Sequence, residues 1–189
     1  MKLTLTDCPD IYLRNLEDSD ATQTYANWLN DPLINQYLET RFILQSTKTC
    51  LDFLNLINAR NDEFIFAICL AKEDKHIGNI KVGPIRPIHN TAEVSLFIGD
   101  HNSWGKGIGS QAIKIVTAYG FMELQIRKLA AIIYAPNISS IKAFKKVGYL
   151  QEGTRTEHFT LNQNENVDSI ELGLLIQNFP KTSNLIVTV

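Results

Sequence analysis

Ala92-Glu-Val-Ser-Leu-Phe-Ile-Gly99, followed after a short break by Trp104-Gly-Lys-Gly-Ile-Gly-Ser110, is the stretch that decides the fold. From 92 to 98 the side chains alternate, with Ala92, Val94, Leu96 and Ile98 on one face of a strand and Glu93, Ser95 and Phe97 on the other. Beyond Gly107 the spacing changes to that of a helix over Ile108–Met122, with Ile108, Ala112, Ile115 and Tyr119 on one side. Between the two lie Gly105, Gly107 and Gly109, which carry no side chain over the backbone N–H groups of the turn. Such N–H groups point outward at a helix N-terminus, where the helix dipole adds partial positive charge, and together they form a cradle for an anion.

Two familiar phosphate motifs do not fit. A P-loop requires Gly-Lys-Ser/Thr, and no such triplet occurs in the chain. A dinucleotide fingerprint requires GxGxxG and an acidic residue at the end of the next strand. This turn reads GxGxG, and the next strand, Leu129-Ala-Ala-Ile-Ile-Tyr134, ends without an acid.

The turn resembles the acetyl-CoA-binding signature of the GNAT superfamily of N-acyltransferases, Gln/Arg-x-x-Gly-x-Gly/Ala, here Trp104-Gly-Lys-Gly107-Ile-Gly109. Trp104 stands where Gln or Arg is usual, which leaves a backbone cradle intact. A second block, Asn137-Ile-Ser-Ser140-Ile-Lys-Ala-Phe144-Lys-Lys-Val-Gly148-Tyr149, is similar to the family's Asn-x-x-Ser/Ala…Tyr/Phe-x-Lys-x-Gly-Phe segment. The resemblance covers about Tyr12 to Ile176 and implies acetyl-CoA as co-substrate. It implies coenzyme contacts from Leu96, Phe97, Ile98, Trp104, Gly105, Lys106, Gly107, Ile108, Gly109, Ser110, Asn137, Ser140 and Phe144. Asn137 is equally well explained as a helix N-cap.

Composition is compatible with one domain over 1–189: 189 residues, 44% hydrophobic, suffice for a sizeable core. A net charge of −2 gives no general attraction to nucleic acid or anionic membrane. No apolar run reaches ~18 residues, and Met1–Pro9 is too polar for a signal peptide. Cys8, Cys50 and Cys69 show no metal spacing, and His76, His89, His101 and His158 are scattered, so the expectation is a reduced cytoplasmic chain without a metal site, as a monomer or homodimer.

The pattern predicts a strand at Ile11–Leu16 and a helix capped by Asp18 or Ser19 that reaches Trp28. Further helices start at Asp31-Pro32 and Ser46-Thr47, the last with Cys50, Leu54 and Ile57 on one face. Strands are expected at Phe64–Ala71, Ile77–Val82, 92–98, Leu129–Tyr134, Tyr149–Phe159 and Val167–Ile176, and a helix over Ile138–Val147 that stops at Gly148. The tail after Pro180 reads as disordered or as an extra, swapped strand. The fold class is α/β, with a mixed, mostly antiparallel sheet flanked by helices. Strands 92–98 and 129–134, joined by one helix, run parallel through a right-handed crossover; the resemblance implies that they splay apart around the coenzyme.

Acetyl transfer needs a neutral amine, a stabilised oxyanion and, where required, a proton for the leaving thiolate. Glu93 lies eleven residues before Trp104, where several members of the family carry a glutamate base. It serves either that role or a structural hydrogen bond. The family's tyrosine near the sulfur is matched by Phe144, which has no proton to give. Ser140, matching the serine of the ribosomal-protein (Rim-type) branch, is then the candidate donor, unless it only binds coenzyme or the thiolate, pKa near 8.5, leaves unaided. In the first third, Trp28, Tyr37, Glu39 and Arg41 are candidate acceptor-binding residues, by similarity to branches that acetylate protein N-termini or amino sugars on nucleotides. A low-pKa amine is the easier acceptor, since an amine near pKa 7.7 is about a sixth neutral at pH 7 and a lysine only ~0.04%. The favoured reading is therefore a small-molecule amine such as an amino sugar nucleotide. A protein N-terminus, a non-catalytic acyl-CoA-binding module and a nucleotide-binding domain are the alternatives.

Overall fold

The computed structural model describes residues 1–162, 165–180 and 184–188. Among them one sheet of nine strands runs β7-β8-β6-β5-β4-β3-β2-β1-β9. The strands are β1 (Lys2–Leu5), β2 (Ile11–Asn15), β3 (Phe64–Leu70), β4 (Lys75–Val82), β5 (Thr91–Ile98), β6 (Lys128–Tyr134), β7 (Leu150–Asn162), β8 (Glu165–Leu175) and β9 (Leu185–Thr188). Every neighbouring pair is antiparallel except β5 and β6, which the crossover helix α4 (Ile108–Met122) makes parallel.

The sheet has a core on each face, because strand alternation sends successive side chains to opposite sides. On β2, Ile11 and Leu13 enter the main core with α4 residues Ile113, Ile115 and Val116, while Tyr12 enters a second core. That second core is covered by α1 (Gln23–Asn30) and α3 (Thr47–Asn58) through Tyr25, Leu29, Cys50 and Leu54. On β5, Ala92, Val94, Leu96 and Ile98 pack on the main core and Phe97 on the second, the alternation read from sequence.

Helix signals are obeyed where a side chain can close the first turn. Asp31 accepts from the Leu33 N–H at 2.8 Å ahead of α2 (Pro32–Asn35), and Ser46 accepts from the Thr49 N–H at 3.2 Å. The expected cap at Asp18 or Ser19 is corrected: Asp18–Asp20 form a 3-10 turn and Thr22 caps α1, accepting from the Tyr25 N–H at 3.2 Å. The Asp20 carboxylate is engaged by Arg14 through two hydrogen bonds of 2.7 Å and by the Glu17 N–H, so it cannot serve a helix further on. α5 (Ile138–Val147) ends on Gly148 at φ 109°, in the left-handed region.

β1 was not foreseen from sequence, because it has only Leu3 and Leu5 to alternate with Lys2 and Thr4. The extra strand expected as one alternative for the tail is β9, which pairs with β1 of the same chain and is not swapped. Residues 181–183 and 189 of that tail, and 163–164 of the polar turn between β7 and β8, lie outside the described residues.

Candidate active site

β5 and β6 pair only at Thr91↔Lys128, Ala92↔Leu129 and Glu93↔Ala130. β5 then continues against β4 as far as Ile98, and β6 against β8 as far as Tyr134. The strands therefore part immediately after Glu93. Continuing the register would bring Phe97 opposite Tyr134, but no pair forms there, and the β6-facing edge of β5 is left open along the fork.

The glycine turn closes the wide end of this fork. Gly105 (φ 72°) and Gly107 (φ 77°) both lie in the left-handed region, which is why the turn demands glycine. Nothing stands within 4 Å of where a Cβ on Gly105 would sit. At Gly107 the atoms nearest such a Cβ are Lys146 Nζ and Ser110 Oγ, each at 3.9 Å. Gly107 is the N-cap of α4 yet offers no capping side chain, so N–H groups of the first helical turn remain available to a ligand. A cavity of about 390 Å³ opens at this point, lined by Lys106, Gly107, Ser110 and Lys146 together with Asp7 and Asp10. Lys114 and Gln111 also line it but are held by Asp7 and Asp10.

The residues expected at the coenzyme occupy different positions. Trp104 does not project into the cradle: its indole N–H donates to the Ile98 carbonyl at 2.9 Å and its ring rests on His101, bracing the loop. Leu96 and Ile98 are half-buried against the main core, with Leu96 3.8 Å from where a Cβ on Gly109 would stand. Asn137 is the N-cap of α5: its Oδ1 accepts from the Ser140 N–H at 3.2 Å and the Ser139 hydroxyl at 3.0 Å. The Ser140 hydroxyl has no partner among the described residues. Phe144 is corrected to a core residue, 1% exposed and edge-on to Tyr149 at 5.0 Å, because a phenyl ring with nothing to hydrogen-bond is best buried. Glu93, at the apex of the fork, accepts from Arg86 Nη2 at 3.1 Å.

The acceptor-side residues divide. Trp28 is a packing residue of the second core, its ring so close to Gly99 that a Cβ there would lie 2.1 Å from it. Glu39 and Arg41, on a 3-10 turn at Glu39–Phe42, meet at one atom: the Tyr134 hydroxyl donates to Glu39 Oε1 at 2.6 Å and accepts from Arg41 Nη2 at 3.1 Å. Burial, and next the hydrogen bond to Glu39, push the Tyr134 phenol above its ordinary pKa, so it stays protonated at neutral pH. Its ring stacks on Phe159 at 4.0 Å, with Tyr37 at 5.7 Å. Tyr134 and Lys146 also line the candidate site and were not named as site residues from sequence. Tyr134 continues the alternation of Ala130 and Ile132 onto the face that carries Glu93 and Phe97, a signal that was present but read only as the end of a strand.

Residues 10–150 match the Acetyltransferase (GNAT) domain. The chain belongs to the GNAT family. As a GNAT member it is an acyltransferase, and several of its relatives are described as N-acetyltransferases. It is 30% identical over 159 residues to the probable N-acetyltransferase YjcK of Bacillus subtilis, covering 80% of this chain and 87% of that protein. It is 31% identical over 85 residues, 45% of either protein, to the spermidine N(1)-acetyltransferase of Escherichia coli. The GNAT fold is shared with the spermidine N-acetyltransferase of Vibrio cholerae solved with CoA and spermine, at a TM-score of 0.79 and 24% identity over 89% of this chain and 97% of that one. A GNAT acetyltransferase of Bacillus anthracis superposes at a TM-score of 0.78, with 20% identity over 94% of this chain and 99% of that one. No helix among the described residues is long and apolar enough to cross a membrane.

Proposed function

We propose that this chain transfers an acetyl group from acetyl-CoA to the primary amine of a small molecule. The fork between β5 and β6, closed by the Gly105–Gly109 turn, is the observation that carries this reading. The turn fits a pyrophosphate: a Cβ on Gly105 would meet nothing, α4 presents its first N–H groups, and Lys106 and Lys146 line the cavity. Acetyl-CoA supplies the activated acyl group when bound. The open edge of β5 offers backbone donors and acceptors to an amide-bearing arm, and Ser140 offers a free hydroxyl at the start of α5. Glu93 is the proposed proton acceptor for the amine, directly or through a water, while Arg86 holds its carboxylate in place.

On the acceptor side, Glu39 is exposed and has no cation partner among the described residues, which leaves a carboxylate for an ammonium group. Tyr37 and Phe159, both partly exposed, supply rings for a sugar or base, backed by the buried Tyr134 ring. These features support the amino sugar nucleotide as acceptor. The spermidine acetyltransferases among the relatives favour a second reading, an aliphatic polyamine. Thermal unfolding with acetyl-CoA, ATP or NAD, followed by thiol release with an amine panel, tests the reading. Stabilisation by acetyl-CoA alone and transfer to a small amine are expected. Transfer only to a peptide N-terminus would move the acceptor to protein, and bound coenzyme with no transfer would leave a binding module.

A further inference from the structure

Arg41 is set apart from the other arginines by its lack of an acid. Arg14 is held by Asp20, Arg60 by Asp62, Arg86 by Glu93 and Arg155 by Glu171; Arg127 has no carboxylate but is exposed to water. Arg41 is half-buried, and every hydrogen-bond partner it has among the described residues is a neutral oxygen. Its guanidinium carbon lies 4.2 Å from the Phe42 ring centre and 5.2 Å from that of Tyr134, so no acid meets it directly. Its Nη1 donates to the Leu38 carbonyl at 2.8 Å, and its Nη2 donates to the Thr160 carbonyl at 2.6 Å and the Tyr134 hydroxyl at 3.1 Å. Its Nε is buried with no partner among the described residues. A guanidinium carries its charge throughout the physiological range and matches carboxylate and phosphate in shape, so neutral oxygens leave its main capacity unused.

Two further buried side-chain oxygens also lack partners among the described residues. Thr40 Oγ1 lies next in the chain to Arg41, and Ser169 Oγ belongs to the residue paired with Tyr134 across β6 and β8. Buried polar atoms are nearly always hydrogen-bonded, so three unpaired ones on Arg41, its neighbour Thr40 and the strand partner of Tyr134 call for an explanation. Glu39 accepts from the same Tyr134 hydroxyl to which Arg41 donates, is exposed, and makes no salt bridge among the described residues. The site therefore presents one unpaired negative and one unpaired positive group joined through one phenol.

We propose that Arg41 is an anion receptor of the acceptor site, so that the acceptor is an amine that also carries a phosphate or carboxylate, with its ammonium group toward Glu39. This rests on the transferase reading above and narrows it. A polyamine offers only cations and would meet the unpaired guanidinium, so the polyamine acceptors named for the relatives do not suit this chain.

The test uses the full chain with saturating acetyl-CoA, product acetylation read by mass spectrometry, and four acceptors: glucosamine, its phosphate or nucleotide ester, an α-amino acid, and spermidine. The phosphorylated amine should exceed neutral glucosamine by roughly 10- to 100-fold in kcat/KM, the range of a charged hydrogen bond. Preference for the α-amino acid instead would assign the anion as a carboxylate. Arg41→Gln should collapse that preference through KM, and Arg41→Lys should restore part of it. Independently of turnover, inorganic phosphate added to the chain saturated with CoA should raise the unfolding temperature, and Arg41→Gln should abolish the rise. Spermidine or neutral glucosamine as the better acceptor, or an anion preference unchanged in a folded Arg41→Gln variant, would overturn the proposal. Absence of transfer to every amine with phosphate binding retained would count against the transferase reading alone, whereas loss of phosphate binding in the unmodified chain would overturn the anion receptor.

Discussion

The proposed coenzyme half, made of β5, the glycine turn and the N-termini of α4 and α5, and the proposed acceptor side, made of α1 to α3 with Tyr134 at the end of β6, are built on different principles. In the first, the cradle is backbone, with N–H groups of a glycine turn, the unpaired edge of a strand and a helix N-terminus, and only Glu93 and Ser140 add side chains to it. In the second they are side chains that meet across the fold, Glu39 and Arg41 on the Tyr134 hydroxyl. A backbone cradle is written locally, as glycines at fixed spacing. A side-chain cluster is written in residues far apart, and nothing in the spacing announces it. The coenzyme half can thus be shared across a family while the acceptor side changes.

That division predicts separable effects. The largest on turnover belongs to Ser140, whose free hydroxyl lies on the coenzyme half. Ser140→Ala should lower kcat by roughly 10²-fold with the acetyl-CoA Kd little changed. Normal turnover would reduce Ser140 to a residue of the α5 cap. Tyr134→Phe keeps the stacked ring and removes the shared hydroxyl, so steady-state kinetics should show KM for the amine rising about tenfold while coenzyme affinity stays put. A change confined to coenzyme affinity would break the comparison, because it would place Tyr134 on the other half. Glu93→Gln should lower kcat/KM about tenfold near pH 7 and more at lower pH, where less of the acceptor is neutral by itself. A pH–rate profile that overlays the parent's would make the Arg86–Glu93 pair purely structural.

The smallest expected effect is on stability, and it belongs to the seam under α1. Burial pushes the His76 imidazole down, more than the hydrogen bond from its ring to Asn79 and the nearby Asp20 pull it up. Burial pushes the Asp20 carboxyl up, but hydrogen bonds from Arg14 and the Glu17 N–H more than reverse this, leaving it below the usual carboxylate range. Both folded-state values are depressed, so both groups stabilise the fold above their unfolded pKa values, ~6.5 and ~3.9, and lose that contribution as pH falls. Tm should fall in two stages, first below about pH 6.5 and again below about pH 4. His76→Gln should flatten the first by ~2–4 °C. A Tm that is level from pH 7 to 5 would show that this seam does not depend on a neutral imidazole.

Much of the fold was legible because its signals are local. α4 has the same limits in sequence and structure, Ile108–Met122, since its period-3.6 pattern begins directly at the glycine turn. Ser46 and Gly148 mark helix ends through their own side chain and φ, and the crossover alone made β5 and β6 parallel. Thr22 rather than Asp18 or Ser19 caps α1, because Asp18–Asp20 are taken up in a 3-10 turn of their own, with Asp20 held by Arg14. Tyr134 was missed because its partners lie 93 and 95 residues earlier in the chain. Phe144 was placed at the coenzyme by motif alone, whereas burial against Tyr149 puts it in the core.

The central claim is that the Gly105–Gly109 turn holds the coenzyme pyrophosphate, and calorimetric titration of acetyl-CoA into the unmodified chain and into Gly107→Asp tests it most directly. Aspartate is among the residues that tolerate the left-handed region in which Gly107 lies, so the variant should stay folded, at a cost of about 1–2 kcal/mol. Its carboxylate would stand over the anion cradle. The unmodified chain should bind one acetyl-CoA per molecule, and a folded Gly107→Asp should bind at least ~100-fold more weakly. Equal affinity in the two would contradict the account and move the coenzyme away from this turn.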